Sequence, residues 1–426
     1  MESAKLFEAF LQLKTITTDT RNIPTASIFF ALKGEHFNGN HFAQDALEKG
    51  ASLVVVDEQQ HFEDDRIVYV ENVLRALQNL AREYREYLKI PFVGLTGSNG
   101  KTTTKELIAA VLQQKYKVHY TQGNLNNHIG VPLTILGIKP DAEIAVIEMG
   151  ANHQKEIELL ASIAQPDFGY ITNFGHAHLE GFGGFEGVVK GKSELYDYLR
   201  NHHKKAVVNS EDPIQKEKTQ GIDTITFACN TTADYHIKLL ETTNDLLAVK
   251  FEDLTIQSNL TGEYNWSNLA AAISFGKIFE VENERIKKGI ENYHPNNHRS
   301  QLIKKERYTI LMDAYNANPS SMEASLNNFS KFNGSKTVIL GDMFELGEES
   351  LENHKKIAKL AIDLNVDEIF LVGSHFKMLF FEDEKIKQFS TRLELENYLS
   401  QKPIETQYIL IKGSHGMRLD LLENIV

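Results

Sequence analysis

Gly97-Ser98-Asn99-Gly100-Lys101-Thr102-Thr103-Thr104 follows a short apolar run, Ile90-Pro91-Phe92-Val93-Gly94-Leu95-Thr96. It precedes a segment, 105–116, in which Leu107, Ile108, Val111 and Leu112 fall on one helical face. Buried strand, Gly-rich turn, Lys-Thr and helix is the setting of a phosphate-binding loop. Gly97 and Gly100 let the backbone turn tightly and approach an anion. A helix N-terminus offers unpaired N–H groups and partial positive charge, here from Ser98, Asn99 and Thr103. Lys101 would reach terminal phosphates and the Thr102 hydroxyl would ligate Mg²⁺. The usual pattern has a further Gly where Leu95 stands, so this is a shorter variant of the loop. The alternative, a turn that binds nothing, leaves the Lys-Thr-Thr at the helix start without a reason.

The chain has 426 residues, enough for about two or three domains. It is 42% apolar and 24% charged, which supports a sizeable core and excludes general disorder. A net charge of −13 argues against a nucleic-acid-binding surface. Cys229 is the only cysteine, so neither an internal disulfide nor a Cys-based metal site is available. No long apolar run reads as a signal peptide or a membrane span, and the expectation is a soluble, cytoplasmic protein.

Residues 1–88 read as a small α/β domain. Strands are expected at 27–32 and 52–56, helices at 42–49 and 73–88, and polar turns at 18–21 and 33–39. Residues 89–295 alternate apolar strands with helices, the pattern of a parallel sheet covered on both faces. Ligands on such sheets bind beyond the carboxyl ends of the strands. The polar clusters 121–130, 148–153 and 173–180 fall there. Residues 235–260 alternate polar and apolar, which suggests antiparallel strands appended to the sheet. An Ala-rich helix is expected from Leu269 to Phe279. After a polar linker at 294–299, residues 296–426 read as a second doubly wound domain. Its helices are expected near 320–332, 351–364, 393–399 and 417–425. Its polar clusters, 313–320, 341–347 and 412–416, share one edge, expected to face the nucleotide edge of the middle domain. The fold class is thus α/β in three domains, the central one P-loop-like and the last Rossmann-like.

Several residues carry chemistry. Glu148 closes an apolar strand, where it either holds Mg²⁺ or pairs with a lysine. His178 is a further cation ligand, half of a zinc site with His176, or a structural histidine. Lys190 and Lys192 read by themselves as solvated charge. Asn265 and Asn268 either cap the Ala-rich helix or read a base edge. Capping also accounts for Asn318 or Ser320, though not for Asp313, Tyr315 and Asn316 gathered at a strand end. The reading is an ATP-using enzyme with its site in an interdomain cleft that closes on substrate.

Over essentially its whole length the chain resembles the Mur ligase family of ATP-dependent amide-forming enzymes. The shortened loop 96–102, Gly123-Asn124-Leu125-Asn126-Asn127, Tyr315-Asn316-Ala317-Asn318-Pro319 and Gly341-Asp342-Met343-Phe344-Glu345-Leu346-Gly347 carry the likeness. They point to the step that adds D-alanyl-D-alanine to UDP-N-acetylmuramoyl-tripeptide. The resemblance implies that Lys101 and Thr102 serve phosphates and Mg²⁺, with Glu148 and His178 as further ligands. It implies that Lys192 is carbamylated and holds a second Mg²⁺. Asn268, Arg299, Asp313 and Tyr315 match positions around the nucleotide. Thr20, Arg21, Lys33, Asn38 and Gly39 match the UDP side. Asn126 and Asn127, with Asn316 and Asn318, match the peptide-substrate side. The division implied is 1–88 for the UDP-muramoyl substrate, 89–295 for ATP, and 296–426 closing over ATP and taking the dipeptide, in a monomer. Three positions depart from the family pattern: His298 where Gly usually precedes the arginine, Met312 for a common Asp, and His415 where Arg is frequent. Competing readings are another ligase of the family and a nucleotide-regulated scaffold that needs no amine acceptor.

Overall fold

Phe92–Thr96 is a strand with every residue buried, in a computed structural model that describes residues 3–59, 64–241, 245–364 and 366–426. It lies inside a nine-stranded sheet among the described residues. From edge to edge the strands are Leu254–Thr261, Leu246–Phe251, Tyr235–Leu240, Asp223–Ala228, Lys205–Asn209, Phe168–Ile171, Phe92–Thr96, Ile144–Glu148 and Val118–Tyr120. The chain leaves Phe92–Thr96 toward the Val118–Tyr120 edge and later crosses to Phe168–Ile171 on its other side. That reversal is the point where doubly wound sheets bind ligands. Pairing is parallel as far as Tyr235–Leu240; the last two strands add antiparallel to the same sheet. The sequence pattern misses Asp223–Ala228, whose burial is only partial along much of its length.

Among the described residues the N-terminal domain has a four-stranded parallel sheet, Ile16–Thr17, Ser27–Phe30, Ala51–Val56 and Ile67–Tyr69. The turn expected at 33–39 contains a short antiparallel ladder, Lys33–Gly34 with Phe37–Asn38. Helix Val73–Leu88 has the expected bounds and is capped by the Asn72 side chain. It fastens this domain to the central one. Tyr84 donates to the Ile138 carbonyl (2.7 Å), Gln78 to that of His128 (3.0 Å), and Arg85 reaches Asp167 (2.8 Å). One apolar core spans both domains, with Phe10, Phe30, Leu77 and Tyr84 joining Val131, Ile157, Leu160 and Leu195.

The C-terminal domain has, among the described residues, a six-stranded sheet, ordered Gln301–Lys304, Thr309–Asp313, Tyr408–Lys412, Lys336–Gly341, Glu368–Val372 and Ile386–Phe389. Its two apolar clusters draw only on its own residues. The helix expected at 417–425 is instead a pair of 3₁₀ turns, His415–Met417 and Leu419–Asn424. Arg418, at φ 52° between them, breaks any continuous helix. The Ala-rich helix starts at Trp266, ahead of the expected Leu269. Among the described residues no helix is long and apolar enough to cross a membrane.

Candidate active site

The loop 97–100 is held from below by the end of strand Phe168–Ile171. Ser98 N–H donates to the Asn173 carbonyl (3.1 Å), Ser98 Oγ to that of Gly175 (2.9 Å), and Asn99 N–H to Asn173 Oδ1 (3.0 Å). Gly97 sits at φ 144°, and a Cβ there would fall 2.0 Å from Thr172 Oγ1. Gly100, at φ 80°, opens helix Lys101–Leu112. Lys101 Nζ folds back onto the carbonyls of Gly97 (2.7 Å) and Ser98 (3.1 Å). Burial, reinforced by the charge of Arg299, pushes its ammonium down to about 8.

Glu148 ends its strand 1% exposed. Its Oε1 accepts from Asn126 Nδ2 (2.8 Å) and Thr102 Oγ1 (3.3 Å). Its Oε2 is buried without a hydrogen-bond partner among the described residues. The nearest charge to Oε2 is the ammonium of Lys105, at 3.6 Å. The two readings of Glu148 therefore meet in one residue, a lysine-paired acid with an oxygen still to satisfy. A carboxylate and a hydroxyl side by side are hard oxygen donors, which fit Mg²⁺. His178 lines the same cleft in the left-handed region, φ 55°, and its Nδ1 bonds Glu345 of the C-terminal domain.

Lys192 is fully buried, whereas Lys190 is exposed on the same helix. The Lys192 ammonium donates to the Ala151 carbonyl (3.0 Å) and faces the Phe182 ring at 4.9 Å. Burial first, then Lys101, drive its pKa well below the ordinary lysine value. The reading of Lys192 as ordinary solvated charge is thus corrected: it is a buried, easily neutralised amine.

Asn265 stands at the N-cap position of the helix, but its side chain makes no capping hydrogen bond, and Asn268 lies inside the first turn. Asn268 Oδ1 accepts from Thr104 (2.9 Å) and its Nδ2 donates to Asn265 Oδ1 (2.7 Å), so the pair braces the loop helix. Opposite, the Arg299 guanidinium lies 3.6 Å over the Tyr315 ring, with its buried Nε unpartnered among the described residues. Asp313 accepts from Ser300 N–H (3.1 Å) and from Lys412 (2.6 Å). Asn318 caps helix Pro319–Ser330 in a reciprocal box with Ser321. Its side chain also reaches Asn99 of the phosphate loop (2.7 Å). Asn316 caps its own turn at Ala317. Asn127 accepts from the N–H groups of Ile129 and Gly130. The residues expected around ATP thus face one another across a cleft of about 850 Å³ between the two large domains.

The departures from the family pattern have structural readings. His298 adopts φ 55°, the conformation that suits glycine. Met312 is fully buried in the core. His415 packs against Tyr315, ring centres 5.4 Å apart. His176 stacks on Phe185 and bonds Ser320 rather than joining His178 in a metal pair. Among the described residues the one His-carboxylate cluster is Asp342, His354 and His375. There His354 Nε2 already accepts from Met343 N–H (2.9 Å), so the histidine is structural.

The five residues expected on the UDP side do not reach this cleft. Lys33 pairs with Asp57 (3.0 Å) and Glu58 (2.9 Å), Asn38 donates to Glu58 (3.1 Å), and Arg21 pairs with Asp19. The Thr20 carbonyl accepts from Lys49 (3.0 Å). Gly39 packs so closely that a Cβ would lie 2.6 Å from the Leu32 carbonyl oxygen. Residues that sequence reasoning passed over include Lys105, Glu106, Tyr264 and Ser300, while Lys412 was placed in a polar cluster but given no role. Lys105 had a signal, a lysine on the inner side of an apolar helix; Ser300 had none.

Family models fall in succession along the chain: "Mur ligase family, catalytic domain" over 12–95, "Mur ligase middle domain" over 95–276, and "Mur ligase, glutamate ligase domain" over 298–415. The chain is 34% identical to the UDP-N-acetylmuramoyl-tripeptide–D-alanyl-D-alanine ligase of Bacillus subtilis, covering 95% of this chain and 91% of that one. It is 32% identical to the enzyme of that name from Escherichia coli, over 98% and 94% of the two chains. Among solved structures it resembles MurF of Acinetobacter baumannii at TM-score 0.88, 30% identity and coverage of 97% and 93%. It also resembles the MurF ligase of Thermotoga maritima in complex with ADP, at TM-score 0.87, 28% identity and coverage of 97% of each chain. With three successive domain models, full-length relatives and an unbroken phosphate loop facing Arg299, the chain belongs to the Mur ligase family.

Proposed function

We propose that this chain is the ATP-dependent ligase that joins D-alanyl-D-alanine to UDP-N-acetylmuramoyl-tripeptide in peptidoglycan precursor synthesis. The observation that carries the chemistry is one cleft holding the phosphate loop, an unsatisfied Glu148 oxygen and an unpartnered Arg299 Nε. The substrates follow from the relatives' names.

A free carboxylate is a poor acyl donor because its leaving group would be oxide. Transfer of the γ-phosphoryl group from ATP to the tripeptide carboxylate gives an acyl phosphate and ADP. The dipeptide amine attacks the acyl carbon, the C–N bond forms, the amine loses a proton, and phosphate leaves from the tetrahedral intermediate. Lys101 and Arg299 neutralise charge on the phosphates, and the Gly97–Gly100 amides orient them. Closure of 296–426 onto the cleft excludes water from the acyl phosphate. Thr102, Glu148 and His178 would hold Mg²⁺, which supplies further charge neutralisation. Burial of Lys192, which favours loss of its proton, suits reaction with CO₂: the deprotonated amine adds to the carbon, a C–N bond forms, one further proton is lost, and the product is an anionic carbamate that would be able to hold a second Mg²⁺.

In this reading 1–88 takes the UDP-muramoyl end, with Thr20, Arg21, Lys33, Asn38 and Gly39 at it. Residues 89–295 take ATP and, through Asn126 and Asn127, the peptide. Residues 296–426 take the dipeptide near Asn316 and Asn318. The enzyme works as a cytoplasmic monomer. The test is phosphate release with Mg-ATP, UDP-N-acetylmuramoyl-tripeptide and D-alanyl-D-alanine, each omitted in turn. Release that needs all of them, with a UDP-muramoyl-pentapeptide seen by mass, is the expected result. A preference for a single amino acid would move the chain to another step of the family. Turnover indifferent to both substrates would overturn the ligase reading.

A further inference from the structure

Lys105 is among the most buried charged groups of the protein, 1% exposed, and among the described residues its ion-pair partners are Glu148 and Glu106. Its ammonium lies 3.6 Å from Glu148 Oε2 on one side and 3.9 Å from Glu106 Oε1 on the other. The Tyr120 ring lies 5.9 Å away. Glu106 in turn holds the segment that joins the two large domains. It accepts from the Tyr293 hydroxyl (2.7 Å) and from Asn297 Nδ2 (3.1 Å). Two residues further on, Arg299 is flanked by His298 at φ 55° and Ser300 at φ 50°. A row of contacts thus runs from Glu148 through Lys105 and Glu106 to Asn297, and the backbone carries it two residues further to Arg299.

We propose that Lys105 is a positioning residue that couples filling of the cation site at Glu148 to the setting of the interdomain linker that carries Arg299. This rests on the reading of Glu148 as a cation ligand. Neither carboxylate makes a short hydrogen bond to Lys105; both attract it as charges, so its position follows the balance between them. A divalent cation held by Glu148 would draw on that carboxylate and repel the ammonium beside it. The ammonium then has Glu106 as its remaining partner, and the linker is hung on Glu106. Coupling between two sites requires an element that both bias, and one flexible side chain between two acids is such an element. A lysine that only balanced the charge of Glu148 would leave the linker indifferent to the cation.

The experiment is hydrogen exchange of segment 293–300 in the full-length protein with ADP, with and without Mg²⁺. Calorimetry of ADP under both conditions runs alongside. The wild type should show a several-fold change in exchange of this segment when Mg²⁺ is added. Lys105→Met should bring that change below twofold while still binding ADP, and Lys105→Arg should keep it. Glu106→Gln, which leaves the Glu148 side untouched, should also lose it. Should Lys105→Met fail to fold, Glu106→Gln and Lys105→Arg decide. A Mg²⁺-dependent change that survives in Lys105→Met or Glu106→Gln overturns the coupling while leaving the cation site standing. A wild-type linker that ignores Mg²⁺ while calorimetry shows Mg²⁺ tightening ADP does the same. If Mg²⁺ alters neither ADP affinity nor exchange in the wild type, the cation-site reading falls and the coupling falls with it.

Discussion

Asn318 Nδ2 donates to Asn99 Oδ1 at 2.7 Å, joining the cap of the first helix of the C-terminal domain to the tip of the phosphate loop. One side chain therefore does two jobs, and two substitutions separate them. Asn318→Ala loses both, costing about 1 kcal/mol of stability from the cap. Asn318→Ser keeps a capping oxygen but is too short to reach Asn99, so its stability should stay close to wild type. Both variants should raise KM for ATP. Denaturant unfolding and ATP kinetics on the pair check this; an unchanged KM in both would remove the interdomain role.

Glu148→Gln should separate the acid's two partners. It leaves Lys105 buried beside Glu106 alone, and breaking a buried pair costs about 3 kcal/mol. It also weakens the oxygen set for Mg²⁺. Thermal unfolding with ADP should show Mg²⁺ stabilising the wild type and having little effect on the variant. A full Mg²⁺ shift in Glu148→Gln would take Glu148 out of the cation site.

The Lys101 ammonium, held down to about 8, gives a pH signature. Its ordinary value is 10.5, so between these two values the unfolded chain holds more proton than the nucleotide-free fold. Stability of the nucleotide-free protein from this group therefore rises with pH across that window, and Lys101→Met should abolish the rise. Phosphates favour the charged lysine, so ADP binding at about pH 9 should take up a proton. Calorimetry in buffers of different ionisation enthalpy reads that uptake directly. No buffer dependence, or proton release, would contradict the environment assigned to Lys101.

His298→Gly should stabilise the protein. A non-glycine residue at φ 55° carries a steric cost of about 1 kcal/mol. The added freedom of glycine in the unfolded chain returns part of it, leaving a net gain of about 0.5 kcal/mol. Chemical denaturation measures it, and a loss of stability would mean that the His298 side chain contributes more than its backbone costs.

The phosphate loop and the parallel sheet were legible because their signals are local. Apolar runs of strand length, glycines at a turn and Lys-Thr at a helix start are all adjacent in sequence. Helix Val73–Leu88 was legible to the residue because its apolar stripe and Asn72 cap agree. Lys105 and Glu106 were not, since their partners, Glu148 and Asn297, are distant in sequence and come close only through the fold. The C-terminal segment failed for a different reason. Its apolar spacing is helical, but Arg418 turns left-handed, and periodicity carries no record of a single φ. Asn318 was readable as a cap and, from family likeness, as a substrate residue; its reach to Asn99 was invisible in sequence.

The apolar core shared by the first two domains has a thermodynamic consequence. Phe10 and Tyr84 pack into the same cluster as Ile157 and Leu195, whereas the clusters of the C-terminal domain contain no residue from either neighbour. Three domains by topology should therefore melt as two cooperative units. A calorimetric scan of the ligand-free chain should resolve two heat-absorption peaks. The larger belongs to the fused N-terminal and central body and the smaller to the C-terminal unit. Any nucleotide that bridges them should draw the peaks together, making the width of the melt a measure of how firmly the two units are engaged.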